Sequence, residues 1–127
     1  MSSEPKTRVL IAEDDGMVAM VIQFMLEDQG CEVVGIAKDG LSAVESVVEL
    51  RPDVVVLDLQ MPDIDGLEAT RRIMQRCPVP VIALTAHSVS EWGEEAFEAG
   101  VVGFLEKPAT ADQLAAAITA ARSSLRL

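Results

Sequence analysis

Carboxylates at two places, one threonine and one lysine are the residues of this 127-residue chain that can do chemistry together. Glu13, Asp14 and Asp15 follow the apolar run Val9 to Ala12, and Asp58 follows Val54 to Leu57. Thr85 follows Val79 to Leu84, and Lys107 with Pro108 comes just after a weaker run, Val101 to Leu105. Three consecutive carboxylates repel one another, so keeping them ionised is costly unless a cation or basic group sits among them. Asp15 alone reads as the cap of the helix that follows. If the first and third runs are neighbouring strands, roughly 4.8 Å apart, Asp14 and Asp58 face one another across a gap that fits a divalent metal. Two carboxylates, one backbone carbonyl and waters form the oxygen-only set that Mg2+ prefers, whereas calcium wants more protein oxygens. Thr85 or Lys107 alone is most often structural. Together they place a hydroxyl donor and a fixed cation around Asp58, where they would stabilise a phosphoryl group carried by that carboxylate. The combination is a phosphoryl-acceptor site.

Those residues need a scaffold that brings the ends of several strands together. The apolar runs, with a further one at Val33 to Ala37, are continuous rather than alternating, as in parallel strands covered on both faces. Between them lie helical patterns at Met17 to Gln29, Leu41 to Leu50, Leu67 to Gln75, Val89 to Ala99 and Ala111 to Leu125. The first predicts a buried stripe of Val18, Val21, Ile22, Met25 and Leu26, with its methionines in the core. The fourth predicts one of Val89, Gly93, Ala96 and Phe97, with Trp92 at the stripe's edge, packing there or half exposed as a partner anchor. The last predicts Leu114, Ala117, Ile118, Ala121 and Leu125. Prolines and glycines mark the boundaries. The pattern is β-α five times over, one α/β domain spanning residues 1–127. Right-handed crossovers put helices on both faces, and ligands bind beyond the carboxyl ends of the strands, where strand order reverses.

Composition excludes other classes. Ten basic against twenty-one acidic residues give a net charge of −11, so nucleic acid and anionic membranes would repel the domain. No apolar stretch approaches the roughly 20 residues of a membrane span. Glu4 and Pro5 stand where a secretory signal would carry basic and then apolar residues, and a cytoplasmic location is expected. Cys31 and Cys77 lack metal-binding spacing and read as free, buried or half-buried thiols.

The motifs VLIAEDD (Val9 to Asp15), VVVLDLQMPDIDG (Val54 to Gly66), ALTA (Ala83 to Ala86) and GFLEKP (Gly103 to Pro108) resemble, in order and spacing, those of bacterial two-component response-regulator receiver domains. The resemblance runs from Arg8 to about Leu125. It implies a flavodoxin-like (βα)5 fold, a doubly wound parallel sheet of five strands in the order 2-1-3-4-5. It further implies that Asp58 accepts phosphate from a phosphohistidine of a histidine kinase or phosphotransfer protein. Asp14, Asp58 and the Gln60 carbonyl would hold Mg2+, with Glu13 acting through water. Lys107 would pair with the phosphate, Thr85 would swing toward it, and Phe104 would follow that movement. The output surface would be the fourth helix, fifth strand and fifth helix, possible anchor Trp92 included. Gln60 and His87 occupy positions associated with phosphoryl lifetime, although His87 also reads as a plain exposed loop residue. The chain departs from the commonest pattern in Ala12, in Glu13 for Asp and in Ala109 where Phe is frequent; no required group is lost.

Competing readings are weaker. A phosphatase of haloacid dehalogenase type needs a second Asp two residues after its nucleophile, where Gln60 stands. A dinucleotide fold needs a glycine-rich turn where this chain is acidic. A phosphate-independent interaction domain would not need Glu13, Asp14, Asp58, Thr85 and Lys107 together. At this length the expectation is a complete receiver whose output comes from another molecule or from a longer regulator.

Overall fold

The structure is a computed structural model and describes residues 5–123. In chain order it runs β1 Arg8–Ala12, α1 Gly16–Asp28, β2 Glu32–Ala37, α2 Gly40–Leu50 and β3 Val54–Leu57. There follow α3 Gly66–Arg76, β4 Val81–Thr85, α4 Val89–Ala99, β5 Gly103–Glu106 and α5 Ala111–Ser123. The strands form one parallel sheet in the order β2-β1-β3-β4-β5. Strand order therefore reverses between β1 and β3, and the crevice beyond their carboxyl ends is where Glu13, Asp14 and Asp58 lie. Leu125, assigned from sequence to the last helix, and residues 1–4 of the N-terminal stretch lie outside the described residues.

Alternation along each strand splits the core into two layers. Leu10, Ala12, Val55, Leu57, Val81 and Ala83 pack with the buried faces of α2, α3 and α4. Val9, Ile11, Val54, Val56, Ile82 and Leu84 pack with Ala19, Ile22 and Leu26 of α1 and Leu114, Ile118 and Ala121 of α5. Burying each such Val, Leu or Ile is worth roughly 1.5–3 kcal/mol, so the central strands are the most firmly held part of the molecule. Side-chain caps start the helices: Asp15 accepts from Met17 and Val18 N–H, Asp39 from Ser42, Asp65 from Glu68 and Ser88 from Glu91. Thr110 and Gln113 cap α5 reciprocally, each side chain accepting from the other's backbone N–H.

Three expectations about packing are corrected. On α1 the buried residues are Ala19, Ile22 and Leu26, whereas Met17 is 78% exposed, Met20 66%, Val21 54% and Phe24 73%. The first helix is apolar on more than one face, so its periodicity cannot select the inner one. On α4 Gly93, Ala96 and Ala99 are buried, and Val89 and Phe97 stand half exposed, because small residues let this helix approach the sheet. The fourth and fifth strands begin two residues later than their apolar runs, Val79 and Val101 being buried connections.

Candidate functional site

Strand pairing places the acids. Glu13 N–H continues the ladder to the Ala37 carbonyl and Asp58 N–H to that of Ala12, both at 2.9 Å. The two side chains thus emerge side by side at the end of the sheet. Glu13, Asp14 and Asp58 each present a carboxylate oxygen within 4.8 Å of the others. Glu13 and Asp58 are buried and Asp14 is exposed. Lys107 follows β5, with its N–H held by the Thr85 carbonyl at 2.8 Å, and reaches back across the crevice. Its Nζ donates to Asp58 Oδ2 at 2.8 Å and to Glu13 Oε1. Asp58 Oδ1 accepts from Gln60 N–H at 3.1 Å, and Glu13 Oε2 accepts from Asp15 N–H at 3.1 Å. The resemblance had Glu13 acting through water; here it also meets Lys107 directly.

Burial raises the pKa of Glu13, and the charge of Asp58 adds to the rise; the Lys107 and Asp15 hydrogen bonds oppose it without cancelling it. Burial alone would lower Lys107, but its bonds to Asp58 and Glu13 hold it above the ordinary lysine value. One ammonium is therefore shared among more carboxylates than it can neutralise. The donors are hard oxygens, one of them exposed, and the set leaves room for a second cation. This fits Mg2+.

Gly66 fixes the acceptor from behind. Its N–H donates to the Leu59 carbonyl at 2.8 Å, and a Cβ built there would lie 2.5 Å from the Asp58 carbonyl oxygen and 2.6 Å from Leu59 Cα. Backbone cannot yield as a side-chain tip can. Gly66→Ala should lower stability by roughly 2 kcal/mol, read as a shift in the urea midpoint. An unchanged midpoint would mean that the acceptor loop is not held in this way. The sequence marks Gly66 only as a turn residue, since nothing in it reveals how closely the start of α3 folds back onto the end of β3.

The remaining predicted residues surround this centre. Thr85 is the last residue of β4 and fully buried, its Oγ1 accepting from His87 N–H at 3.4 Å. Phe104 is half buried on β5, opposite Ala83 of β4. Gln60 is exposed on the loop after Asp58. His87 is not a plain exposed loop residue: it is half buried and stacks on Trp92. Trp92 packs partly on the α4 side of the core and also lines the acidic cleft with Val18, Met61, Pro62 and Asp65. That Trp92 role went unread, because helical periodicity places a residue on a face without saying which strand end it overhangs. Cys31 and Cys77 are half-buried free thiols.

The family model described as the response regulator receiver domain matches residues 9–119. The chain belongs to that family. It is thus a receiver domain of two-component response regulators, whose signalling role is that of a phosphoacceptor. The Mycobacterium tuberculosis transcriptional regulatory protein PdtaR is 40% identical over 119 residues, 94% of this chain and 58% of that protein. A protein-glutamate methylesterase/protein-glutamine glutaminase of Natronomonas pharaonis is 46% identical over 101 residues, 78% of this chain and 28% of that protein. The receiver thus spans well under two-thirds of these relatives. The response regulator domain of Thermotoga maritima CheB superimposes with TM-score 0.88 at 34% identity, covering 94% of this chain and 98% of that one. The receiver domain of the sensor histidine kinase PA1611 of Pseudomonas aeruginosa, with magnesium coordinated in its active-site cleft, does so with TM-score 0.85 at 31% identity, covering 94% and 99%. Among the described residues no helix is long and apolar enough to cross a membrane.

Proposed function

We propose that Asp58 is the phosphoacceptor of this receiver, that Glu13, Asp14 and Asp58 with the Gln60 carbonyl serve a Mg2+ ion, and that Lys107 and Thr85 complete the site. The observation that carries the reading is the buried Asp58 carboxylate at the end of β3, bonded to Lys107 at 2.8 Å inside a cluster of carboxylates within 4.8 Å. In the transfer a carboxylate oxygen of Asp58 bonds to phosphorus, and the phosphorus–nitrogen bond of a phosphohistidine breaks, its electron pair returning to the imidazole. Bound Mg2+ would supply charge that neutralises the phosphoryl oxygens. Lys107 offers a second, fixed charge, and the Thr85 hydroxyl a donor. The magnesium recorded in the PA1611 receiver supports the metal reading. The chain catalyses only its own phosphotransfer and dephosphorylation. The haloacid dehalogenase reading gains no support, since the family match lies elsewhere and Gln60 offers no acid.

The partners that fit are a histidine kinase or phosphotransfer protein and a downstream protein, in the cytoplasm. Met17 and Val21 of α1 line a groove of about 270 Å3 that reaches Lys107 and Pro108, and Met20 and Phe24 stand exposed on the same helix, which supports a donor protein docking beside the acceptor. Val89, Phe97 and Val102, each half exposed, support the α4-β5-α5 side as the output surface, with Phe104 following Thr85. Which output follows belongs to a partner or to a longer regulator.

Incubated with Mg2+ and acetyl phosphate, the chain should gain one phosphoryl group that borohydride reduction maps to Asp58. No label, or a label mapped to another residue, would overturn the assignment. Asp14→Ala should weaken Mg2+ binding at least about tenfold, equal to about 1.4 kcal/mol. An unchanged affinity in titration calorimetry would move the metal elsewhere.

A further inference from the structure

The loop that follows Asp58 is held locally at both ends. Gln60 N–H donates to Asp58 Oδ1 at 3.1 Å, Gly66 N–H closes onto the Leu59 carbonyl at 2.8 Å, and Asp65 caps α3. Between these points, among the described residues, one group ties the loop by hydrogen bonds to another element. The Asp63 carboxylate takes the first two N–H groups of α2, Gly40 N–H on Oδ1 at 2.7 Å and Leu41 N–H on Oδ2 at 2.9 Å. The approach is so close that a Cβ on Gly40 would lie 2.5 Å from both Ile64 Cγ1 and the Ile64 carbonyl oxygen. Asp39 already caps α2 through Ser42 N–H at 2.7 Å, and among the described residues α1, α3, α4 and α5 start on caps close in sequence. What the second, remote carboxylate adds is therefore the position of the loop. The start of α2 is itself fixed beside the acids, because Glu13 N–H donates at 2.9 Å to the carbonyl of Ala37, just before Gly40. On the other side Pro62, with its φ fixed by the ring, stands between Asp63 and Met61, so a displacement at Asp63 is passed toward Gln60 and not absorbed.

We propose that Asp63 is a positioning residue for the metal site, its two bonds to the start of α2 setting the place of the Gln60 carbonyl relative to Glu13 and Asp14. The inference rests on the reading of that carbonyl as a Mg2+ ligand. Mg2+ tolerates little departure from octahedral geometry, so a ligand carried on a loop free to drift is a weak one. Desolvation works against the charged form of Asp63, yet the bonds from Leu41 and Gly40 N–H outweigh it and hold the carboxyl below its ordinary value. The latch is thus charged, and able to accept both bonds, at neutral pH.

The test is titration calorimetry of the full chain with magnesium chloride at physiological salt. Groups bonded directly to a metal ligand typically govern affinity tenfold or more; Asp63 acts one step further away, and Asp63→Ala should weaken binding about fivefold. Asp63→Asn keeps one oxygen for one of the two N–H groups and should weaken it only about twofold. Asp39→Ala removes a carboxylate and a cap from the same helix start without touching the loop, so it should lower the urea midpoint and leave Mg2+ affinity at the wild-type value. In metal-free buffer Gln60 N–H should exchange with deuterium about fivefold faster in Asp63→Ala than in wild type, whereas Val55 and Val56 N–H, inside the sheet, keep their rates. In labelling by acetyl phosphate, the Mg2+ concentration that gives half the maximal rate should rise about fivefold in Asp63→Ala while the maximal rate stays within about twofold of wild type. An Asp63→Ala variant that binds Mg2+ as tightly as wild type overturns this proposal alone. So does an Asp39→Ala variant that loses as much affinity, which would make helix stability or local charge the cause, or an Asp63→Asn variant as weak as Asp63→Ala. A wild-type chain that binds no Mg2+, or an Asp14→Ala variant of unchanged affinity, defeats the metal reading and this proposal with it. Asp63 is exposed, and should its Ala variant not fold, Asp63→Asn and its Gln60 exchange rate decide the matter.

Discussion

Asp58→Asn should take up label from acetyl phosphate at less than about one-thousandth of the wild-type rate. The substitution changes almost nothing in shape. Its amide oxygen still accepts from Gln60 N–H, as Asp58 Oδ1 does at 3.1 Å, and the preceding Val54 to Leu57 remain buried in the sheet. What disappears is the nucleophile, since an amide has no anionic oxygen to offer phosphorus at neutral pH. The amide NH2 also faces Lys107 Nζ where Asp58 Oδ2 accepted at 2.8 Å, so Lys107 retains Glu13 as its acid. The fold should survive, and circular dichroism and the thermal midpoint serve as the control. Intact-mass measurement over a time course reads the rate. Labelling at the wild-type rate would mean that another carboxylate is the acceptor, and peptide mapping would identify Glu13 or Asp14 if one of them had taken over.

The sheet was legible because parallel strands buried on both faces leave continuous apolar runs, and Val54 to Leu57 is such a run ended by a charged residue. The start of α1 was legible from side-chain chemistry, Asp15 being both the end of the acidic triplet and the cap of that helix. The inner face of α1 was not. Met17, Val18, Met20, Val21, Ile22, Phe24, Met25 and Leu26 place apolar side chains all round the helix, so which residues are buried is decided by the neighbouring β1, β2 and α5. In α4 the error had the opposite source, because the residues that pack closest are the small ones, which hydrophobic patterning underweights.

At the site, residue types and their order along the chain pointed to Glu13, Asp14, Asp58, Thr85 and Lys107, since each ends or follows a strand and strand ends converge by topology. Distances between loops were not encoded locally. That Lys107 reaches two carboxylates and that Trp92 overhangs the cleft depend on how elements far apart in sequence are staggered, and that Gly66 backs onto Asp58 depends on how tightly the β3–α3 connection folds back on itself. His87 shows the same limit. Its neighbours in sequence are the small residues Ala86 and Ser88, while the ring it stacks on, Trp92, lies in the helix that follows.

Lys107→Met should be destabilised by about 2–3 kcal/mol at neutral pH without Mg2+, and Mg2+ should restore more of that loss than it adds to wild type. The lysine is the cation among Glu13, Asp14 and Asp58, and its removal leaves Glu13 and Asp58 buried without it. A buried pair broken at one partner costs more than this, but Lys107 is 21% exposed and the cleft opens to water, which reduces the figure. The pH dependence follows from the directions of the shifts. Glu13 already has a folded pKa above its ordinary 4.5, so its ionised form weighs against folding, and the variant should push it higher. The deficit should therefore be small at pH values below 4.5 and grow as the pH rises through the folded pKa of Glu13. The raised pKa of Lys107 means that, while the carboxylates are ionised, its stabilisation in wild type is kept up to about 10.5 and is lost as the pH rises from there through the folded value, so the deficit persists across the neutral range. Lys107 and Mg2+ draw on the same carboxylates. Without the ammonium the metal meets a more negative cluster, so the variant should bind Mg2+ more tightly while accepting phosphoryl groups more slowly, having lost the fixed charge that faces them. Urea midpoints with and without Mg2+ measure both effects. A Met variant as stable as wild type in metal-free buffer, or one that gains no more from Mg2+ than wild type does, would show that Lys107 neither neutralises this cluster nor competes for it.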